Sequence, residues 1–495
     1  MAEIRVVIVG AGPAGIFTAL RLAEQLAESP DSPEWHITII DKGKKLEQRA
    51  CPSIERGINC VNCPSCGVIS GWGGAGAFSD GKLTLSPDVG GQLDAYVGRP
   101  RLEELLAETD QIYLRFGAPD RIFGADDEAV EEIARKALRA DLRLIPSRIR
   151  HLGTGYSQVV LRQLQEHLSQ RGVEICMGVD VAGVLTEEVS TEDTEGTSVG
   201  GSGRQGKGNA RKRRVVGVRT AKGEDIPADY VVVAPGREGA EWLGVEARRL
   251  GIPLAVNPVD IGVRVEVPAT VMEEITSRLW EAKFIHYSRM FEDRVRTFCM
   301  CPHGEVVTEN SDGLITVNGH SHAELRTENT NFALLVSKTF TEPFKEPITY
   351  GKHIARLANL LGGGVLVQRL GDLLAGHRST PERLRKSLVR PTLHDATPGD
   401  LSLVLPYRHL RAIVDMLEAL DQVAPGVHSR NTLLYGVEVK FYSSRLELSR
   451  DLETPVENLF AMGDGAGVTR GLMQASASGL VVAEAILTRA GLDAS

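Results

Sequence analysis

Four of the seven cysteines in this 495-residue chain fall within one short stretch: Cys51, Cys60, Cys63 and Cys66. Three thiolates at intervals of three can wrap one side of an iron-sulfur cluster and a more distant fourth can close it, which supplies the ligands of a [4Fe-4S] centre. The same four suit a structural zinc. Two of them, Cys60 and Cys63, can instead work as a redox dithiol, and reduced cytosolic thiols without a partner are the plain alternative. A second constellation follows downstream. Cys299, Cys301 and His303 alternate, so a regular strand would put them on one face, with Asn318, His320 and His322 close behind. Pro302 interrupts that ladder; a metal site or second dithiol stands against thiols packed in a sheet with histidines in a turn. Arg264 and Arg378 can receive an acidic group or be structural ion pairs.

Two glycine-rich fragments at opposite ends have phosphate chemistry. Ile4 to Val9 is a continuous apolar run, as in a strand buried on both faces. Gly10-Ala11-Gly12-Pro13-Ala14-Gly15 follows, and then Ile16, Phe17, Ala19, Leu20, Ala23, Leu26 and Ala27 recur at helical spacing. In such a turn the first glycine permits the bend, the second lets backbone approach a pyrophosphate, and the third lets helix and strand pack closely. A second strand, His36 to Ile40, ends at Asp41, whose carboxylate can accept from a ribose. The spacing to it is long, and Ser29 to Glu34 is the loop that absorbs the excess. Further apolar strands run from Asp229 to Val233 into Ala234-Pro235-Gly236-Arg237, and from Leu459 to Met462 into Gly463-Asp464. The helix Gly471 to Arg489 carries Ala475-Ser476-Ala477-Ser478-Gly479, small side chains that allow close approach to a cofactor.

The segments Gly71 to Leu83, Asn329 to Leu334, Leu434 to Phe441 and Gly463 to Gly479 resemble the bacterial and archaeal FAD-dependent dehydrogenases of unassigned substrate, within the glutathione-reductase-like NAD(P)/FAD-dependent oxidoreductases. The resemblance implies FAD and a divided FAD domain, and it implies no substrate. It places Asp464 at the ribityl and pyrophosphate region and Val181 at the adenine. Together with the glycine logic, the cofactor-binding residues are then Gly10, Gly12, Ala14, Gly15, Asp41, Gly73, Gly74, Val181, Gly236, Gly463 and Asp464. The disulfide reductases of that superfamily carry their active pair after the second strand, at a spacing from which Cys60 and Cys63 depart. The loop Gly71 to Gly81 also fits G-x-G-x-x-G, but lacks a long preceding strand. Gly73 and Gly74 are therefore read as clearance for the flavin, with Ser79, Asp80 and Lys82 as polar residues that can face its ring.

The fold class expected is α/β: a Rossmann-like FAD-binding domain assembled from separated segments, with an inserted mixed α+β substrate domain. Residues 1–90 open the FAD domain and 91–144 form a helical excursion, with Leu102, Leu105, Leu106, Thr109, Ile112, Tyr113 and Phe116 as its buried stripe. Residues 145–256 return to the FAD domain, 257–450 make the substrate domain, and 451–495 close the FAD domain. Within the third segment, 187–214 has almost no large apolar residues and is expected to be a mobile loop between two strands. The net charge of -9 disfavours nucleic acid as a partner, a tRNA-modifying flavoprotein included. No apolar run reaches the length of a membrane span, and the chain enters its first strand directly, so a cytoplasmic location is expected. The function expected is oxidation or reduction of a small organic molecule by hydride transfer through flavin N5. The cysteine run would relay electrons, with NAD(P)H docking transiently or a carrier protein in its place. The competing class is a non-catalytic electron-transfer flavoprotein or redox sensor acting on a protein partner.

Overall fold

The computed structural model describes residues 3–28, 33–56, 61, 63–79, 81–189, 212–255, 257–311, 313–321, 326–340, 346–441 and 445–492. Its first layer is a five-stranded parallel sheet in the order Leu459–Ala461, Tyr230–Val233, Glu3–Val9, Glu34–Asp41, Glu174–Met177. The apolar runs seen in the sequence become these strands because a parallel sheet covered by helices offers no wet face to a polar side chain. Helices Pro13–Glu28 and Leu472–Arg489 pack against one another beside it. The small residues of the second helix serve this contact. A Cβ on Gly479 would lie 2.3 Å from the Ala14 carbonyl oxygen, and Thr18 Oγ1 donates to the Gly479 carbonyl at 3.1 Å.

The helical excursion proves to be divided between two bodies. Helix Arg99–Arg115 buries Leu102, Leu105, Leu106, Thr109, Ile112 and Tyr113 in the core of the first domain. Helix Asp127–Arg139 and strand Arg143–Ile145 join the second core instead, because that strand pairs with Lys283–Tyr287. The expected loop 187–214 is likewise shorter than its composition indicates. Strands Val181–Val189 and Lys212–Thr220 pair antiparallel up to Val189 opposite Lys212, so residues 187–189 and 212–214 are strand. Cross-strand pairing supplies what local apolarity does not. Residues 190–211 lie outside the described residues.

The second domain is built on an eight-stranded sheet in the order Thr397–Pro398, Leu366–Arg369, Leu433–Lys440, Val259–Pro268, Asn329–Lys338, Arg294–Cys301, Lys283–Tyr287, Arg143–Ile145. Alternation along its central strand gives the sheet two different faces. Ile261, Val263, Val265 and Val267 join Phe332, Leu334 and Val336 in an apolar core with helices Ala269–Leu279 and Tyr407–Asp421. The residues between them, Asp260, Arg264 and Glu266, are as buried, and face the other way. The hairpin of strands Glu305–Ser311 and Leu314–His320 packs against the sheet. Among the described residues no helix is long and apolar enough to cross a membrane.

Candidate functional site

The three glycines of the first turn have three different surroundings. Gly10 has φ of +115°, and a Cβ there would lie 2.1 Å from the Ala234 carbonyl oxygen. A Cβ on Gly15 would lie 2.1 Å from the Gly10 carbonyl oxygen, so helix and turn touch backbone to backbone. Gly12 is unlike both. Its backbone is outside the left-handed region, and nothing lies within 4 Å of where its Cβ would stand. Neither strain nor packing calls for glycine at 12. The helix starts at Pro13, whose missing N–H is one of the unpaired donors of a first turn. The first amides of a helix lack intrahelical acceptors, a setting in which an anion is favoured. Ala14 is buried and its Cβ stands 3.3 Å from the Cβ position of Gly463, so it joins the two ends of the cradle.

Asp41 closes the loop from the side. Its Oδ2 accepts from the Ala11 amide at 2.9 Å and its Oδ1 from the Gly43 amide at 2.7 Å. Each carboxylate oxygen keeps a lone pair for a ribose hydroxyl. Asp41→Asn would turn an amide NH2 toward one of those two backbone donors. We expect FAD affinity to fall about tenfold or more, corresponding to roughly 1–3 kcal/mol for an unsatisfied buried donor, read by titrating apoprotein with FAD. Val181 begins a strand opposite Thr220 and its side chain lies in the core. The backbone beside Asp41 is that of Gly178 and Val179, whose amides donate to Gly43 O at 2.8 Å and Asp41 O at 3.0 Å.

The second glycine loop crosses directly over the first. The Gly73 amide donates to Ala11 O at 2.8 Å, and the Cβ position of Gly74 is 3.2 Å from Gly12 Cα. Gly74 thus borders the cradle. The clearance at Gly73 is taken by Leu161, whose Cδ1 lies 2.3 Å from the Cβ position. Arg49, which has no distinguishing sequence signal, holds the approach to this loop: its buried guanidinium donates to the carbonyls of Gly67, Val68 and Trp72. Burial lowers its pKa to about 10, so it stays charged at neutral pH. Ser79 caps its own turn through Gly76 O, and Asp80 lies outside the described residues. Lys82 turns toward the second domain, where Nζ donates to Met300 O at 2.7 Å and pairs with Glu281 at 3.2 Å.

Glu281 is buried between Lys82 and Lys283. Burial alone would raise its pKa, but the two ammonium groups hold it down at about 2. A carboxylate with a depressed folded pKa contributes stability that is present above its unfolded value and lost as pH falls through the folded one. We therefore expect the stability gap between the parent chain and Glu281→Gln to be full at pH 6, to shrink below about pH 4.5 and to close near pH 2. Urea unfolding at several pH values measures it.

The closing part of the chain brings Gly463, with φ of +74°, and Asp464 to the cradle. Thr469 Oγ1 donates to Asp464 Oδ1 at 2.7 Å, and Arg237 Nε stands 3.8 Å from Oδ2. Gly236, with φ of +65°, forms the turn before Arg237, and a Cβ on Gly465 would lie 2.4 Å from Gly236 O. The positive charge of Arg237 also helps Lys440 keep the Glu309 carboxyl below its ordinary pKa. This leads into the polar face of the second sheet. Lys440 Nζ lies 3.3 Å from Glu309 and 3.2 Å from Glu438, and Glu438 pairs with the fully buried Arg264 at 2.8 Å. Arg264 also donates to Cys299 O at 2.7 Å and to Asn331 Oδ1 at 3.2 Å. Arg264 is thus committed to an internal ion pair. Glu438 and Lys440 are the residues sequence reasoning passed over, although two charges at alternate positions of an apolar strand were the available signal.

Other expected sites fare differently. Cys299, Cys301 and His303 do not share a strand face: Cys299 and His303 have φ of +44° and +50°, and the strand bulges between Phe298 and Cys301. His303 Nδ1 lies 3.0 Å from Thr327 O, and His322 is outside the described residues. Cys51, Cys63 and Cys66 are half-buried and in no disulfide, and Cys60 lies outside the described residues. Among the described residues no group of three or more His, Cys, Asp or Glu is placed to hold a metal.

Residues 258–441 match the family model for FAD-dependent protein, C-terminal domain-like. That span holds the polar-faced second sheet apart from the strand Arg143–Ile145. Over 511 aligned residues the chain is 26% identical to a Clostridium beijerinckii protein described as uncharacterized, covering 98% of this chain and 81% of that one. Solved structures similar to it include L-proline dehydrogenase from P. horikoshii, at 12% identity, TM-score 0.39 and coverage of 98% and 94% of the two chains. Glycine oxidase from Geobacillus kaustophilus is similar at 12% identity and TM-score 0.37, with the same coverages. At such scores these likenesses assign no substrate. The family description names FAD, and the glycine turn is of the kind that receives a dinucleotide pyrophosphate.

Proposed function

We propose that this chain is a FAD-dependent oxidoreductase acting on a small organic molecule held between the cradle and the polar face of the second sheet. The observation that carries this reading is Gly12, a glycine that neither its backbone nor its neighbours require. When bound, FAD supplies a two-electron acceptor or donor at N5. The residues around it divide the work of holding it. The turn Gly12 to Gly15 and the helix start receive the pyrophosphate, Asp41 the adenosine ribose, and Asp464 the ribityl chain. Gly74 keeps the second loop close without a side chain in the way. Arg237 beside Asp464, Glu309 and Lys440 follow one another to the polar face of the second sheet, so a substrate held there would meet charged side chains. A carrier protein as electron partner is the extension of the same reading, since the sequence has no second Rossmann unit for NAD(P)H.

The experiment is direct. Protein purified and denatured should release FAD, identified by chromatography, near one per chain; its absence, with no binding on titration, would sink the reading. Anaerobic mixing with amino acids, amines, hydroxy acids and NAD(P)H should then bleach the flavin with one class. Bleaching only by reduced carrier proteins would favour the electron-transfer alternative.

A further inference from the structure

Strand Arg294–Cys301 pairs regularly with Asn329–Lys338 from Val295 opposite Val336 to Phe298 opposite Ala333, and then places Cys301 opposite Asn331. Three steps along one strand match two along the other, so one residue is extra, and Cys299 takes up the bend with φ of +44°. In a regular strand, side chains two residues apart are separated by about 6.5–7 Å, beyond the ~3.5–4.5 Å between Cβ atoms that a disulfide requires. The bulge departs from that regular spacing. Cys301 Sγ donates to Cys299 O at 3.5 Å, and neither cysteine is in a disulfide.

The setting of this pair is also particular. Lys82, which follows the glycine loop that crosses Gly12, donates to the carbonyl of Met300, the residue between the two cysteines. Arg264 donates to the carbonyl of Cys299. From the other side, Arg237 beside Asp464 acts on Glu309, and contacts continue through Lys440, Glu438 and Arg264 to Cys299. Both edges of the cradle therefore lead to the same bulge. The neighbouring Cys299 and burial push the Cys301 thiol well up, which keeps it protonated, and Cys299 itself is half-buried.

We propose that Cys299 and Cys301 are a redox-active dithiol that closes to a disulfide across the bulge and exchanges two electrons with the bound flavin. This rests on the FAD reading given above. On oxidation the two S–H bonds break and one S–S bond forms. The two electrons and two protons lost by the thiols are those that oxidised flavin takes up on becoming reduced flavin. The reverse step opens the disulfide at the expense of reduced flavin.

The test uses the wild-type holoprotein. Air-oxidised and anaerobically photoreduced samples are denatured in N-ethylmaleimide and digested with trypsin, and the peptide from Thr297 to Arg326, which holds these two cysteines and no other, is weighed. The oxidised sample should give that peptide two hydrogens lighter with no adduct, and the reduced sample should give two adducts. In a reductive titration, wild type should take up two electrons per FAD more than Cys299→Ser. Two adducts in the oxidised sample, or equal electron uptake, would overturn the proposal. Flavin absorbance of the same samples separates the two levels: bound FAD with alkylated cysteines sinks the dithiol alone, and protein without FAD sinks both.

Discussion

Replacing Gly12 by Ala should leave the protein folded, with a melting temperature near that of the parent, and weaken FAD binding tenfold or more. Gly10→Ala and Gly15→Ala should do the opposite, and lose the fold first. The contrast follows from where each added methyl would go. At Gly12 it enters open space, in a backbone region that alanine adopts freely, so the apoprotein has no reason to respond. A ligand whose phosphate needs that space does respond, and each tenfold in affinity is about 1.4 kcal/mol. At Gly10 the methyl meets the Ala234 carbonyl at 2.1 Å, and φ of +115° is unfavourable for any residue with a Cβ. At Gly15 it meets the Gly10 carbonyl at the same distance. Neither backbone can yield without moving a strand end, so overpacking of about 3 kcal/mol or more is expected at each. Thermal melts of the three apoproteins, followed by FAD titration of those that fold, measure both halves. A Gly12→Ala protein that binds FAD like the parent would remove the main support for the cofactor reading.

Cutting the ion pair beneath the second sheet should be the costliest single change in that domain. Glu438→Ala leaves the Arg264 guanidinium fully buried, hydrogen-bonded to the neutral acceptors of Cys299, Asn331 and Asn318 and without its paired carboxylate. Removing one partner of such a pair costs about 3–5 kcal/mol, because the remaining charge cannot be rehydrated. The double change Arg264→Met with Glu438→Ala should cost clearly less than the sum of Arg264→Met and Glu438→Ala made singly, since it removes both charges together. Urea midpoints of the four proteins give the comparison. Near-additive losses would mean that the pair is not coupled as its geometry indicates.

The five-stranded sheet was readable because its strands are short, largely apolar runs with a glycine or aspartate at their end or within a few residues of it, a pattern that needs no partner to be recognised. The loop roles at Gly10, Gly12 and Gly15 were readable for the same reason: they are local. What escaped depends on pairing between distant segments. Nothing within 91–144 says that Leu105 belongs to one core and Ile133 to another, since both lie on ordinary amphipathic helices. Alternation at Cys299, Cys301 and His303 read as one face of a strand, and a bulge, which only the partner strand reveals, broke it. Gly73 read as clearance for a cofactor when its space belongs to Leu161, 88 positions away. The polar face of the second sheet was hidden by the rule that charged residues prefer water; Arg264, Glu438 and Lys440 break it by satisfying one another.

The contact between Thr18 and Gly479 joins residues 461 positions apart. It sets an order of events during synthesis. A nascent chain that has exposed its first glycine turn, its second strand and even its whole second domain still lacks the strand Leu459–Ala461, the turn at Asp464 and the helix that Gly479 seats against Ala14. Until those emerge, one side of the cradle is open and the helix Pro13–Glu28 keeps an uncovered apolar face. A complete cradle therefore waits for the helix Leu472–Arg489 to leave the ribosome, and the half-made protein must until then be kept from aggregating without any ligand that the finished cradle would hold.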